Sequence, residues 1–63
     1  MMINRQNASP LDKEIAEALQ KWRAAADYYE SAKDGDLVDY AIYELEAARR
    51  RYTYLLKLKR SGA

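Results

Sequence analysis

The 63-residue chain contains no cysteine and no histidine. Disulfide bonds are therefore excluded, and so is a zinc site built from the usual Cys and His ligands. A folded chain of this length buries only about 60% of the surface that its unfolded form exposes. Small domains usually compensate with disulfides, a metal or oligomerisation. Oligomerisation or unusually good helix packing is what remains here, and the sequence implies neither a metal nor another cofactor.

Long apolar runs are also missing. No window approaches the roughly 20 apolar residues that span a bilayer. The polar start MMINRQNASP has no apolar core of the kind a signal peptide needs. The lack of cysteine fits a reducing compartment. We therefore expect a soluble cytoplasmic protein without membrane association.

Proline and glycine are scarce, and they mark where helices begin and end. Residues 1–8 show no periodicity and are expected to form a disordered leader. Ser9 followed by Pro10 is typical of a helix start. Gly35 is expected to take the left-handed conformation that ends a helix, and Asp36 to cap the next one.

These signals predict one helical unit over residues 9–61. Helix 1 is expected at about 10–33, a turn at 34–36, and helix 2 at about 37–60. A link this short makes the two helices antiparallel neighbours. The predicted fold class is all-α, an antiparallel two-helix hairpin.

Each helix carries an apolar stripe with the alternating three-and-four spacing of a buried helix face. The stripe of helix 1 is centred on Trp22, which small neighbours such as Ala18 and Ala25 make room for. The main stripe of helix 2 comprises Val38, Ala41, Ile42, Leu45, Ala48, Tyr52, Leu55 and Leu56. We expect the two stripes to pack together as the hairpin core.

Helix 2 has a second apolar set on roughly the opposite side: Tyr40, Tyr43, Ala47, Tyr54 and Leu58. A two-helix hairpin can bury only one of these faces. Tyrosine is enriched at protein interfaces because it combines a large ring with a polar tip. We therefore predict that this second set is an interface, where a homodimer forms a four-helix bundle or an unlike protein docks.

The stretch DGDLVDYAIYELEAARRRYTYLLKLKR, preceded by KWRAAADYYE, resembles the YaaL-like family of short bacterial proteins, known as domain of unknown function family 2508. The resemblance covers roughly two thirds of the chain. It departs from the family at Gly35, where a proline is expected. The resemblance implies a small, helical, cytosolic protein with no assigned activity, and it brings no catalytic residues.

Catalysis and metal binding are not expected. Without His or Cys, the remaining acids and bases lie on helix faces predicted to be exposed, where their pKa values should be ordinary. A hairpin also offers little concavity for a substrate. The acidic cluster around the turn is too short for a calcium loop, and helix capping explains it better.

The segment RRRYTYLLKLKR invites a nucleic-acid interpretation, since cations neutralise phosphates and tyrosines stack on bases. Three of its cations, Arg50, Lys57 and Arg60, lie along one side of helix 2, and Arg49 lies at the edge of that side. However, cations also belong at a helix C-terminus. A pI near 8.0 is low for a dedicated nucleic-acid binder. The leading interpretation is a non-enzymatic interaction protein, with nucleic-acid binding as the alternative.

Overall fold

The computed structural model describes residues 9–62, which form two antiparallel α-helices. Helix α1 is Pro10–Ser31 and helix α2 is Gly35–Arg60. They pack against each other along their length and are joined by three residues. The predicted all-α hairpin is therefore confirmed. The predicted leader, residues 1–8, lies outside the described residues.

Helix α1 begins where the sequence predicts. Ser9 is extended, and its hydroxyl accepts a hydrogen bond of 3.1 Å from the backbone N–H of Asp12. This bond satisfies one of the N–H groups that a helix start leaves without an intrahelical partner. Pro10 has no N–H to satisfy and is favoured at the first helical position for that reason.

The link between the helices corrects three expectations. Helix α1 ends at Ser31, because Ala32 is already extended. Asp34, and not Asp36, caps α2: its carboxylate accepts from the Asp36 N–H at 3.1 Å, and its carbonyl accepts from Val38 at 2.8 Å. Gly35 is the first residue of α2 and does not have a positive φ. The extended backbone of Ala32 breaks the helix, so no left-handed residue is needed.

The core of the hairpin is thin. Of the described residues, Ala18, Ala41 and Leu55 are the buried apolar ones. Trp22 and Tyr52 are half-buried and cross the interface with ring centroids 5.4 Å apart and planes tilted by 46°. No large side chain in this part of the chain is fully buried. Two helices in a single layer cover only the narrow strip where they touch.

The predicted stripe of α2 is wider than α1 can cover. Ile42 belongs to that stripe, yet 43% of it is exposed. At about 100° per residue, one edge of each stripe turns outward on the same side of the hairpin. We call this the aliphatic side, formed by Ile15, Leu19, Val38, Ile42, Leu45 and Leu56. All except Ile42 are half-buried.

Two ion pairs tie the helices together at the end away from the link. Lys59 contacts Asp12 at 2.6 Å, and Arg51 contacts Glu14 at 3.2 Å. All four side chains are substantially exposed, so solvent screens both pairs and each contributes little to stability. Both pairs join residues far apart in sequence and are compatible with the antiparallel arrangement.

Candidate interaction surface

The tyrosine-rich set of α2 lies largely in solvent. We call it the tyrosine face: Tyr40, Tyr43, Ala47, Tyr54 and Leu58. Tyr43 is 68% exposed, Tyr54 59% and Tyr40 54%. Ala47 is also exposed, whereas Leu58 is half-buried. α1 thus leaves the three tyrosine rings of this face mostly uncovered.

Tyr40 is held from two directions. Its ring meets Tyr28 of α1 edge-on, with centroids 6.2 Å apart and planes at 81°, an arrangement favoured by the charge distribution of aromatic rings. The Glu44 carboxylate, one turn along α2, acts as a hydrogen-bond acceptor and a negative charge, and it raises the pKa of the Tyr40 hydroxyl. These two neighbours constrain the orientation of the Tyr40 ring.

A shallow groove of about 420 Å³ runs beside Tyr40, between the two helices. Its floor is made of alanines, whose small side chains leave room between the helix backbones. Lys21, Glu44 and Arg51 line its edges, and Tyr28 and Tyr40 close the end nearest the link. The groove combines an apolar floor with a charged rim of both signs, as protein interfaces commonly do.

The structure brings only part of the predicted set together. Tyr40 and Ala47 line the groove. Tyr43 and Tyr54 do not line the groove. The helical spacing places them on the side of α2 that faces away from α1. The tyrosine face is therefore a convex ridge with a groove on one flank.

Sequence reasoning missed the contribution of Tyr28, which belongs to neither apolar stripe. Tyr28 and Tyr40 lie about equally far from the link on the two helices. In an antiparallel hairpin, residues at matching distances from the turn are neighbours. That symmetry was the available signal for the ring contact.

One of the four cations in the predicted basic stripe is held in an ion pair. Arg49 is bonded to Glu46 at 2.7 Å, which lowers the pKa of that carboxyl. Arg50, Lys57 and Arg60 are exposed along the outer edge of α2. The remaining stripe therefore has three cations and is flanked by an ion pair at the fourth position.

The described part of the chain holds neither a metal-ligand cluster nor a membrane-spanning helix. Residues 9–62 bring no three carboxylates close enough together to hold a metal ion. Neither α1 nor α2 is apolar enough along its length to cross a membrane.

Comparison with known proteins identifies the family. The sequence model of the family described as "Protein of unknown function (DUF2508)" matches residues 3–61. The chain therefore belongs to this family, which confirms the resemblance seen in the sequence. No curated protein and no solved structure matches the chain.

Proposed function

We propose that the chain is a non-enzymatic, cytoplasmic interaction protein that docks an unlike protein partner through its tyrosine face. The observation that carries this proposal is the exposure of Tyr40, Tyr43 and Tyr54 on one helix, each more than half in solvent. Single exposed apolar residues need no explanation, but three exposed tyrosines on one side of a helix concentrate a residue type that is enriched at interfaces.

The composition of the tyrosine face suits transient binding of a partner. Tyrosine buries a large ring yet keeps a hydroxyl that water can solvate when the partner is absent. The adjoining groove, with its alanine floor and Tyr28–Tyr40 end wall, has the shape that accepts an apolar helix edge. The charged rim of Lys21, Glu44 and Arg51 would fix the partner's register.

The direct test is photo-crosslinking in the native cell. The photoreactive amino acid p-benzoylphenylalanine replaces Tyr43 or Tyr54. Lys13, an exposed residue of α1, is the control position. We expect adducts with one discrete unlike protein from the two tyrosine positions and not from the control. The adduct from Tyr54 should disappear when Tyr43→Glu is added.

Two results would count against this proposal. Adducts between two copies of the chain from the tyrosine positions would make the tyrosine face a self-association surface. The same adducts from Lys13 as from Tyr43 would show only chance encounters.

Nucleic-acid binding is the second candidate, supported by the exposed cations Arg50, Lys57 and Arg60. It requires affinity for DNA or RNA that falls steeply with salt, since each neutralised phosphate releases counterions. Retardation of labelled oligonucleotides should then weaken in Arg50→Gln with Lys57→Gln. If no retardation occurs even at low salt, this candidate is excluded.

A further inference from the structure

The aliphatic side of the hairpin lies opposite the groove and is not used by the proposed partner. It presents the outward edges of both apolar stripes, among them Ile42, Leu45 and Leu19. Its residues are aliphatic and carry no hydroxyls, unlike the tyrosine face. Permanent homodimer interfaces are more apolar than transient ones.

We propose that a second copy of this chain covers the aliphatic side, so that two hairpins form a two-layer four-helix bundle. The sequence predicted such a bundle through the tyrosine face. The apolar composition of the aliphatic side, which carries no hydroxyls, favours that side instead. This proposal does not depend on a partner at the tyrosine face. The tyrosine face would remain free in the assembled dimer.

The size of the surface fits this occupant. Helix α1 has 22 residues and is therefore about 33 Å long, and two adjacent helices are about 20 Å wide. Their common side thus offers on the order of 700 Å². A standard stable interface buries about 800 Å² on each partner.

The thin core indicates a partner that is always present. Domains are normally built of at least two layers around a core. This hairpin has a single layer, and within residues 9–62 its buried apolar residues are Ala18, Ala41 and Leu55. No disulfide can compensate, because the chain has no cysteine. A second copy is available wherever the chain is made, whereas an unlike protein is not.

Charge does not oppose a two-fold contact, in which a surface must meet itself. The charged residues bordering the aliphatic side carry both signs: Asp12, Arg23, Glu30 and Arg49. Arg49 lies nearest its middle, and Glu46 already neutralises it at 2.7 Å. A copy therefore meets no uniform field of like charge.

Sedimentation equilibrium of the full chain tests the proposal, with two neighbouring residues as a matched pair. We expect the wild-type mass to be twice the 7.3 kDa of one chain. Ile42→Glu should halve it, and Tyr43→Glu should leave it unchanged. Both residues are exposed in the hairpin, so neither change removes a residue of the hairpin's own core.

The opposite pattern, in which Tyr43→Glu dissociates the dimer and Ile42→Glu does not, would overturn the proposal. A folded wild-type monomer at every concentration would overturn it as well.

A second measurement uses the wild-type protein, so it does not depend on whether Ile42→Glu leaves the dissociated chain folded. A sample mixing isotope-labelled and unlabelled chains reports contacts between copies by isotope-filtered NMR. We expect methyl–methyl contacts from Leu19, Ile42 and Leu45. Intermolecular contacts restricted to the rings of Tyr43 and Tyr54, or none at all, would contradict the proposal.

Discussion

Trp22 of α1 and Tyr52 of α2 hold the middle of the hairpin together, with ring centroids 5.4 Å apart. Both residues are only half-buried, yet theirs is the largest pair of side chains to meet across the two helices. Within residues 9–62, the buried apolar residues are two alanines and one leucine. The contact between Trp22 and Tyr52 therefore adds two large rings to a small apolar core.

We therefore expect Trp22→Ala to lower the free energy of unfolding by about 3 kcal/mol, the lower end of the range for a buried ring. Adding Tyr52→Ala should cost less than the sum of the two single changes, with a coupling of about 0.5 to 1.5 kcal/mol. Urea unfolding followed by circular dichroism at one fixed concentration measures both. Trp22→Phe is the control that keeps a ring. A loss below about 1 kcal/mol for Trp22→Ala would place the ring at the surface.

The cap of α2 can be tested by comparing two aspartates. Asp34→Ala removes the side chain that accepts from the Asp36 N–H, and we expect a loss of about 1 kcal/mol. Asp36→Ala removes only an acidic group from the first turn, which is worth about 0.3 to 1 kcal/mol. Thermal unfolding of the two variants measures the difference. A larger loss for Asp36→Ala would restore the cap that the sequence first suggested.

The two glycines should respond in opposite ways to alanine. Gly35 is helical, and an added Cβ would meet no atom within 4 Å. Gly35→Ala should therefore stabilise the protein by about 0.4 to 1 kcal/mol, because it reduces the freedom of the unfolded chain. Gly62 has φ of +89°, where a Cβ is strained, so Gly62→Ala should not stabilise. Melting temperatures of both variants decide this, and equal shifts would contradict it.

Stability should fall at acid pH. The Lys59 ammonium, hydrogen-bonded to Asp12, lowers the pKa of that carboxyl, and Arg49 does the same for Glu46. A carboxyl whose pKa is lower in the folded chain than in the unfolded chain stabilises the fold above its unfolded pKa. That contribution is present above about pH 4 and is lost as pH falls through the folded-state values.

The check is the melting temperature between pH 7 and pH 2. We expect Asp12→Asn to show a smaller acid-side decrease than the wild type, whereas Asp27→Asn, outside the ion pairs of the described residues, should follow the wild type. Salt should reduce the wild-type decrease, since it screens exposed charges. An unchanged acid profile in Asp12→Asn would show that the pair is not formed in solution.

The sequence predicted the hairpin because its signals are local. Ser9 and Pro10 identify one helix start by themselves, and the three-and-four spacing identifies both helices. The second start was misplaced by two residues because Asp34 and Asp36 flank Gly35 and either can cap a helix. The choice depends on where the preceding helix stops, and the extended Ala32 decides that.

The covered and uncovered faces were harder to predict. A stripe on one helix shows which residues are apolar, but it does not show how much of that stripe one neighbouring helix can reach. Ile42 was therefore expected in the core and is 43% exposed. The exposure of Tyr40, Tyr43 and Tyr54 on the hairpin was foreseen, since they lie away from the line along which the two helices touch.

The link of Ala32, Lys33 and Asp34 also bears on how quickly the chain reaches its native state. Most contacts lie within the helices or close to the link, between residues near in sequence, and proteins dominated by local contacts fold in microseconds to milliseconds. A nascent hairpin would thus form well before it could meet another molecule. Both of its outward sides would then already have the shape that the folded hairpin gives them.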